Sequence, residues 1–126
     1  GFAKWMEVQA GEEQEHAKKI YEYIFAKGGK VTLEGIDAPK TAWKNAEEVF
    51  KESLGHEQAV TKSIEKIYAL ARKENDYATE IFLQWFITEQ VEEEDNATSI
   101  LEKIKLLGAN NSTSMYLLDK ELGARA

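Results

Sequence analysis

A single proline in 126 residues, with apolar residues returning every three or four places over long stretches, restricts this chain to helices well beyond the usual three turns. The first stretch, about residues 2–27, carries Phe2, Met6, Ile20 and Ile24 on one stripe with Ala10 and Ala17. Gly28-Gly29 then gives a stop. Residues 30–44 hold Gly35, Pro39 and a locally extended Val31-Thr32-Leu33. A connection of about fifteen residues exceeds the usual ~2–8 between helices, and can run the length of a bundle and leave its flanking helices parallel. Asn45 followed by Glu48 is a capping box, opening a helix over about 46–75 whose stripe is Phe50, Leu54, Val60, Ile64, Ile67 and Ala71. The break at Asn75-Asp76 is short, so the next helix, about 77–107, is expected to run antiparallel. It carries Phe82, Phe86, Ile100, Ile104 and Leu107 and ends at Gly108, before a short helix over about 113–122. The expectation is one all-α domain over residues 1–126. Its long helices should each reach ~40–45 Å at 1.5 Å per residue.

Three such rods leave one side of an apolar core open, so a fourth helix is expected from elsewhere in the sequence or from another subunit. The chain opens at Gly1 rather than Met, with Phe2, Trp5 and Met6 already at helical spacing and no capping residue before them. It is expected to have been entered partway through.

Composition narrows the function. With 23 acidic against 16 basic residues and a net charge of −7, the chain is not expected to bind nucleic acid. There is no cysteine, which excludes disulfides, zinc knuckles and iron–sulfur clusters. No apolar run approaches the roughly 18 residues of a membrane span, and no signal-like segment opens the sequence. A cytoplasmic location is expected.

The residues that point to chemistry are charged ones standing on apolar stripes. Glu13 and His16 lie between Met6 and Ile20, three apart and therefore on one face. Glu57 sits seven residues from both Phe50 and Ile64, and Glu93 seven from both Phe86 and Ile100, with Gln90 one turn before Glu93. A carboxylate stays buried only when it is paired or bound to metal. Carboxylates inserted from several long helices, with a Glu-x-x-His pair among them, are the ligand pattern of di-iron bundles. Oxygen ligands suit iron, and imidazole completes the set. Each residue also has a plainer reading. A lone Glu-x-x-His is common on helix surfaces, Glu57 can reach solvent along its stem, and the run Glu92 to Asp95 is a solvated face in which Glu94 and Asp95 are expected to stay. The coincidence across all three helices favours the metal.

The segments Glu12-Glu13-Gln14-Glu15-His16-Ala17, His56-Glu57, Phe82-Leu83-Gln84-Trp85 and Glu89-Gln90-Val91-Glu92-Glu93-Glu94 closely resemble prokaryotic non-haem ferritins. The resemblance extends to Leu118-Asp119-Lys120-Glu121-Leu122, and maps the chain onto the second to fifth helices of that family. It implies a ferritin-like four-helix bundle with a long crossover and a short C-terminal helix. It also implies a ferroxidase that oxidises Fe(II) with oxygen or peroxide and stores ferric mineral in a shell of 24 subunits. By the same resemblance Glu13 bridges both irons, His16 completes the first iron site, and Glu57 and Glu93 hold the second with Gln90 close by. Glu12, Glu89 and Glu92 match a third, more transient iron site. Two departures follow. The family's first helix has no counterpart here, so a glutamate ligand of the first iron site is missing and ferroxidase activity is left open. Gln90-x-x-Glu93 and Gln14 stand where the haem-binding branch has a second Glu-x-x-His and a methionine, so haem is not expected. The alternative is a truncated, catalytically impaired assembly protein whose buried polar residues are structural.

Overall fold

The computed structural model describes residues 1–126. The chain is all-α and has no strand: α1 is Phe2–Ala26, α2 Ala46–Lys73, α3 Tyr77–Leu107 and α4 Ser112–Leu122. Val31 to Leu33 pair with nothing as a strand and belong to the irregular connection between α1 and α2.

The helix ends follow from local chemistry. Gly28 closes α1 with φ of +76°, where its N–H reaches the Phe25 carbonyl and the Gly29 N–H reaches Ile24. These are the two bonds of a Schellman cap, which needs a left-handed residue at that place. Asn75, at φ +55°, closes α2 the same way through Asn75 N–H to Arg72 and Asp76 N–H to Ala71. At the start of α2 the Asn45 side chain accepts from the Glu48 N–H at 3.0 Å. Glu48 returns its carboxylate to the Lys44 N–H at 2.5 Å, one residue before the position a strict capping box uses. Asp76 caps α3 by accepting from the Thr79 N–H at 3.2 Å.

The chain divides into two units. One comprises Gly1–Ala42 and Ser112–Ala126. In it Trp5 is the buried residue of α1, and Leu118 and Leu122 are those of α4. The two helices are joined by the Phe2 N–H, which donates to Asp119 Oδ1 at 2.9 Å.

The other unit, Trp43–Asn111, holds α2 and α3 side by side. Tyr68 donates to Glu80 close to the turn, while Gln90 reaches Glu57 farther from it, the pairing of an antiparallel hairpin. Its core includes Ile64, Leu83 and Phe86, with Tyr68, Phe82 and Ile87 against them. Phe86 meets Trp85 edge-on at 4.9 Å and Phe82 at 5.4 Å. The apolar stripe of α2 is only partly covered. Phe50, Ile64 and Ala71 are buried, but Val60 is 41% and Ile67 49% exposed. The periodic stripe is wider than the face that a single neighbouring helix can cover.

Candidate metal centre

Each unit carries one group of the expected ligands. On α1, Glu13 and His16 meet through Oε2 and Nδ1 at 3.4 Å. The i, i+3 spacing on a helix brings them together, and the imidazole is the more sheltered partner, at 12% against 44% exposure. Gln9, one turn earlier, donates to Glu13 Oε1 at 3.1 Å. Both Glu13 oxygens therefore have a neighbour on the same helix, which fixes the carboxylate's direction.

The other group lies between α2 and α3. Gln90 is 3% exposed, and its side-chain amide nitrogen donates to Glu57 Oε2, to the Glu57 carbonyl and to Thr61 Oγ1, each at 3.2 Å. Thr61 Oγ1 also lies 3.0 Å from the Glu57 carbonyl and 2.6 Å from Glu94 Oε1. The N–H side of the Gln90 amide is thus committed to α2. Because the amide is planar, its carbonyl oxygen is turned away from these acceptors. Glu93, three residues on, is 4% exposed. Glu57 is half-buried.

Three side chains depart from the sequence expectation or were missed by it. Glu94 is not a solvated residue of the acidic run. It is half-buried and accepts from Thr61, because position 94 turns back toward α2 while Asp95 stays exposed. Thr61 has no charge or periodicity to mark it, and only the α2–α3 pairing reveals its place. Arg125 was also missed. It pairs with Glu12, one of the residues expected at a third metal position. The other two, Glu89 and Glu92, lie on α3, half-buried and exposed respectively.

Chemically, the α1 group offers a carboxylate and an imidazole, and the α2–α3 group offers carboxylates and an amide oxygen. Each is a set of hard donors, with the imidazole the one borderline member, and suits Fe(II) and Fe(III) better than a thiophilic metal.

The family model described as a ferritin-like domain matches residues 1–107. The bacterial non-heme ferritin of Staphylococcus haemolyticus is 43% identical over 126 residues, covering all of this chain and 75% of the relative. That of Staphylococcus aureus is 42% identical over 125 residues, covering 99% of this chain and 75% of the relative. Among solved structures, an open pore ferritin from Archaeoglobus fulgidus matches with a TM-score of 0.95 and 40% identity, over 98% of this chain and 75% of that one. The chain belongs to the ferritin family, and its all-α fold is the ferritin fold. Iron binding, iron storage and ferroxidase chemistry are the family-level function. No helix is long and apolar enough to cross a membrane.

Proposed function

We propose that this chain is the ferroxidase and storage subunit of a homo-oligomeric shell in the cytoplasm, with Fe(II) as its substrate. In this reading Glu13 and His16 from α1, and Glu57 and Glu93 from α2 and α3, bind two iron ions together. Glu13 is the carboxylate shared by both ions. Gln90 keeps Glu57 in its binding orientation and presents its own carbonyl oxygen. Glu12, Glu89 and Glu92 supply a third, looser position. The observation that carries the proposal is Glu93, a carboxylate 4% exposed on the same stripe as Phe86 and Ile100. Placing a carboxylate there is costly unless a cation or a hydrogen-bond network compensates it. A di-iron site supplies such a cation.

The chemistry asked of these side chains is limited. Two Fe(II) ions each lose one electron, and dioxygen takes both, with two protons, to leave as hydrogen peroxide. Peroxide can accept a further electron pair in a second round. Three carboxylates neutralise the rising charge as each ion passes from +2 to +3, so the ferric state is favoured electrostatically. His16 is neutral when it acts as a ligand, with one nitrogen for the metal and the other free to hydrogen-bond. Product Fe(III) then hydrolyses and is held as mineral.

Self-association is supported by apolar residues that stand open on both units. Ile20, Phe25, Leu33 and Ile36 are exposed on one, and Ile67, Leu70, Ile81 and Val91 on the other. Exposed apolar side chains in this number are what a partner subunit would cover.

The test is Fe(II) oxidation followed by the ferric absorbance, after anaerobic loading. Wild type should bind two Fe(II) per chain and oxidise them on admission of air. Glu93→Ala should lower the initial rate by about tenfold or more, a loss of about 1.4 kcal/mol or more of stabilisation from the missing ligand. Equal rates in wild type, Glu93→Ala and protein-free buffer would favour the second reading, an assembly protein with a structural polar network.

A further inference from the structure

The Glu12 carboxylate, expected at a third metal position, is already held by another part of this chain. Arg125 lies three residues beyond the end of α4. Its backbone N–H is fixed to the Leu122 carbonyl at 3.2 Å, so the tail turns over the helix end. Its guanidinium lies 4.4 Å from the centre of the Trp5 ring. Nη1 donates to Gln9 Oε1 at 3.0 Å and to the Trp5 carbonyl at 3.5 Å. Nη2 pairs with Glu12 Oε2.

Trp5, Gln9 and Glu12 are spaced i, i+4 and i+7, so a single side chain spans two turns of one face of α1. The guanidinium is always charged, offers only donors, and stacks on an aromatic ring while it forks to oxygens. Its side chain is 20% exposed, against 43% for Glu12. This cation is therefore seated in a built cradle rather than waving in solvent.

A metal ion at Glu12 would sit on a carboxylate whose charge Arg125 already neutralises through Oε2, and even at Oε1 the two cations repel each other at close range. We infer that Arg125 tunes the occupancy of the Glu12 position, with the segment after α4 and a divalent cation competing for the charge of one carboxylate. This rests on the di-iron reading above and adds a rule to it. While this segment is docked a third ion is weakened, and it binds at full strength only when Arg125 leaves Glu12. Linkage makes the effect reciprocal, so metal at Glu12 loosens the segment by the factor by which the docked segment weakens metal.

The experiment uses the intact protein under anaerobic Fe(II) titration, with two readouts. The first is the affinity of the weakest Fe(II) class in wild type, Arg125→Ala, Arg125→Lys and Lys120→Ala. Arg125→Ala should tighten that class roughly threefold to tenfold, the range of a partly screened ion pair with added stacking. Arg125→Lys keeps the charge but loses the fork and the stack, and should fall between. Lys120→Ala removes the same charge from the last turn of α4 without touching Glu12, and should leave the class unchanged. Glu12→Gln should abolish it. The second readout is hydrogen–deuterium exchange over residues 123–126, where the Arg125 N–H bonds to the Leu122 carbonyl. Fe(II) should speed exchange there in wild type and leave it unaltered in Glu12→Gln. If Arg125→Ala and Lys120→Ala bind Fe(II) alike, the inference is overturned while the tight pair stands. If wild type binds no Fe(II) at all, both are overturned.

Discussion

A carboxylate as enclosed as Glu93, 4% exposed, gives opposite results on removal according to what its charge is for. If it serves a metal, Glu93→Gln, which removes the charge but keeps the size and hydrogen-bonding capacity of the side chain, should leave the unfolding free energy nearly unchanged while Fe(II) binding is lost. If it belongs to a structural network, removing it strands its partners and should cost about 3–5 kcal/mol. Urea unfolding of the metal-free variant separates the two, and the account predicts the first. Thr61 provides a second test. Its hydroxyl stands between Gln90 and Glu94, so Thr61→Val should cost about 1–2 kcal/mol of stability. It should also slow Fe(II) oxidation more than it weakens Fe(II) binding, because the ligands remain but the Gln90 amide loses one of its three acceptors. Equal losses of rate and affinity would assign Thr61 no orienting role. The pairing of Glu13 with His16 was legible in the sequence because three residues on a helix is a fixed distance. Thr61, Glu94 and Arg125 were not, because their partners lie 33 residues away for the first two and 113 for the third. No local period reports a pairing that depends on how helices meet.

At the scale of the element, the ends of the helices were the most legible part of the fold. Gly28 and Gly108 act through a left-handed backbone, and Asn45 and Asp76 through a side chain that accepts from an N–H three residues on, none of which needs a tertiary partner. Gly28→Ala puts a Cβ at φ +76° and should cost about 1–2 kcal/mol. Asn45→Ala removes the acceptor for the Glu48 N–H and should cost about 1 kcal/mol. Thermal unfolding of both variants checks this, and no shift in either would mean that these ends fray without consequence. The faces of the helices were less legible than their ends. Periodicity placed Val60 and Ile67 on the same stripe as Phe50 and Ile64, yet Ile64 is 6% exposed and Ile67 49%. A stripe reports which side is apolar, and only the number and width of the neighbours decide how much of it is covered.

For the whole molecule, the proposed ligands of two iron ions are Glu13 and His16 on α1, Glu57 on α2 and Glu93 on α3. Exposed apolar residues on each unit lead to the expectation of association, which sedimentation of the protein at several concentrations would detect. A concentration-independent monomer would contradict it. The most direct test of the central claim is the number of Fe(II) ions bound per chain, measured anaerobically in wild type, Glu13→Gln and Glu57→Gln. The account predicts two tight ions in wild type. It predicts loss of tight binding in both variants, although one substitution lies on α1 and the other on α2. Tight binding of two ions that survives either substitution would contradict a shared di-iron centre.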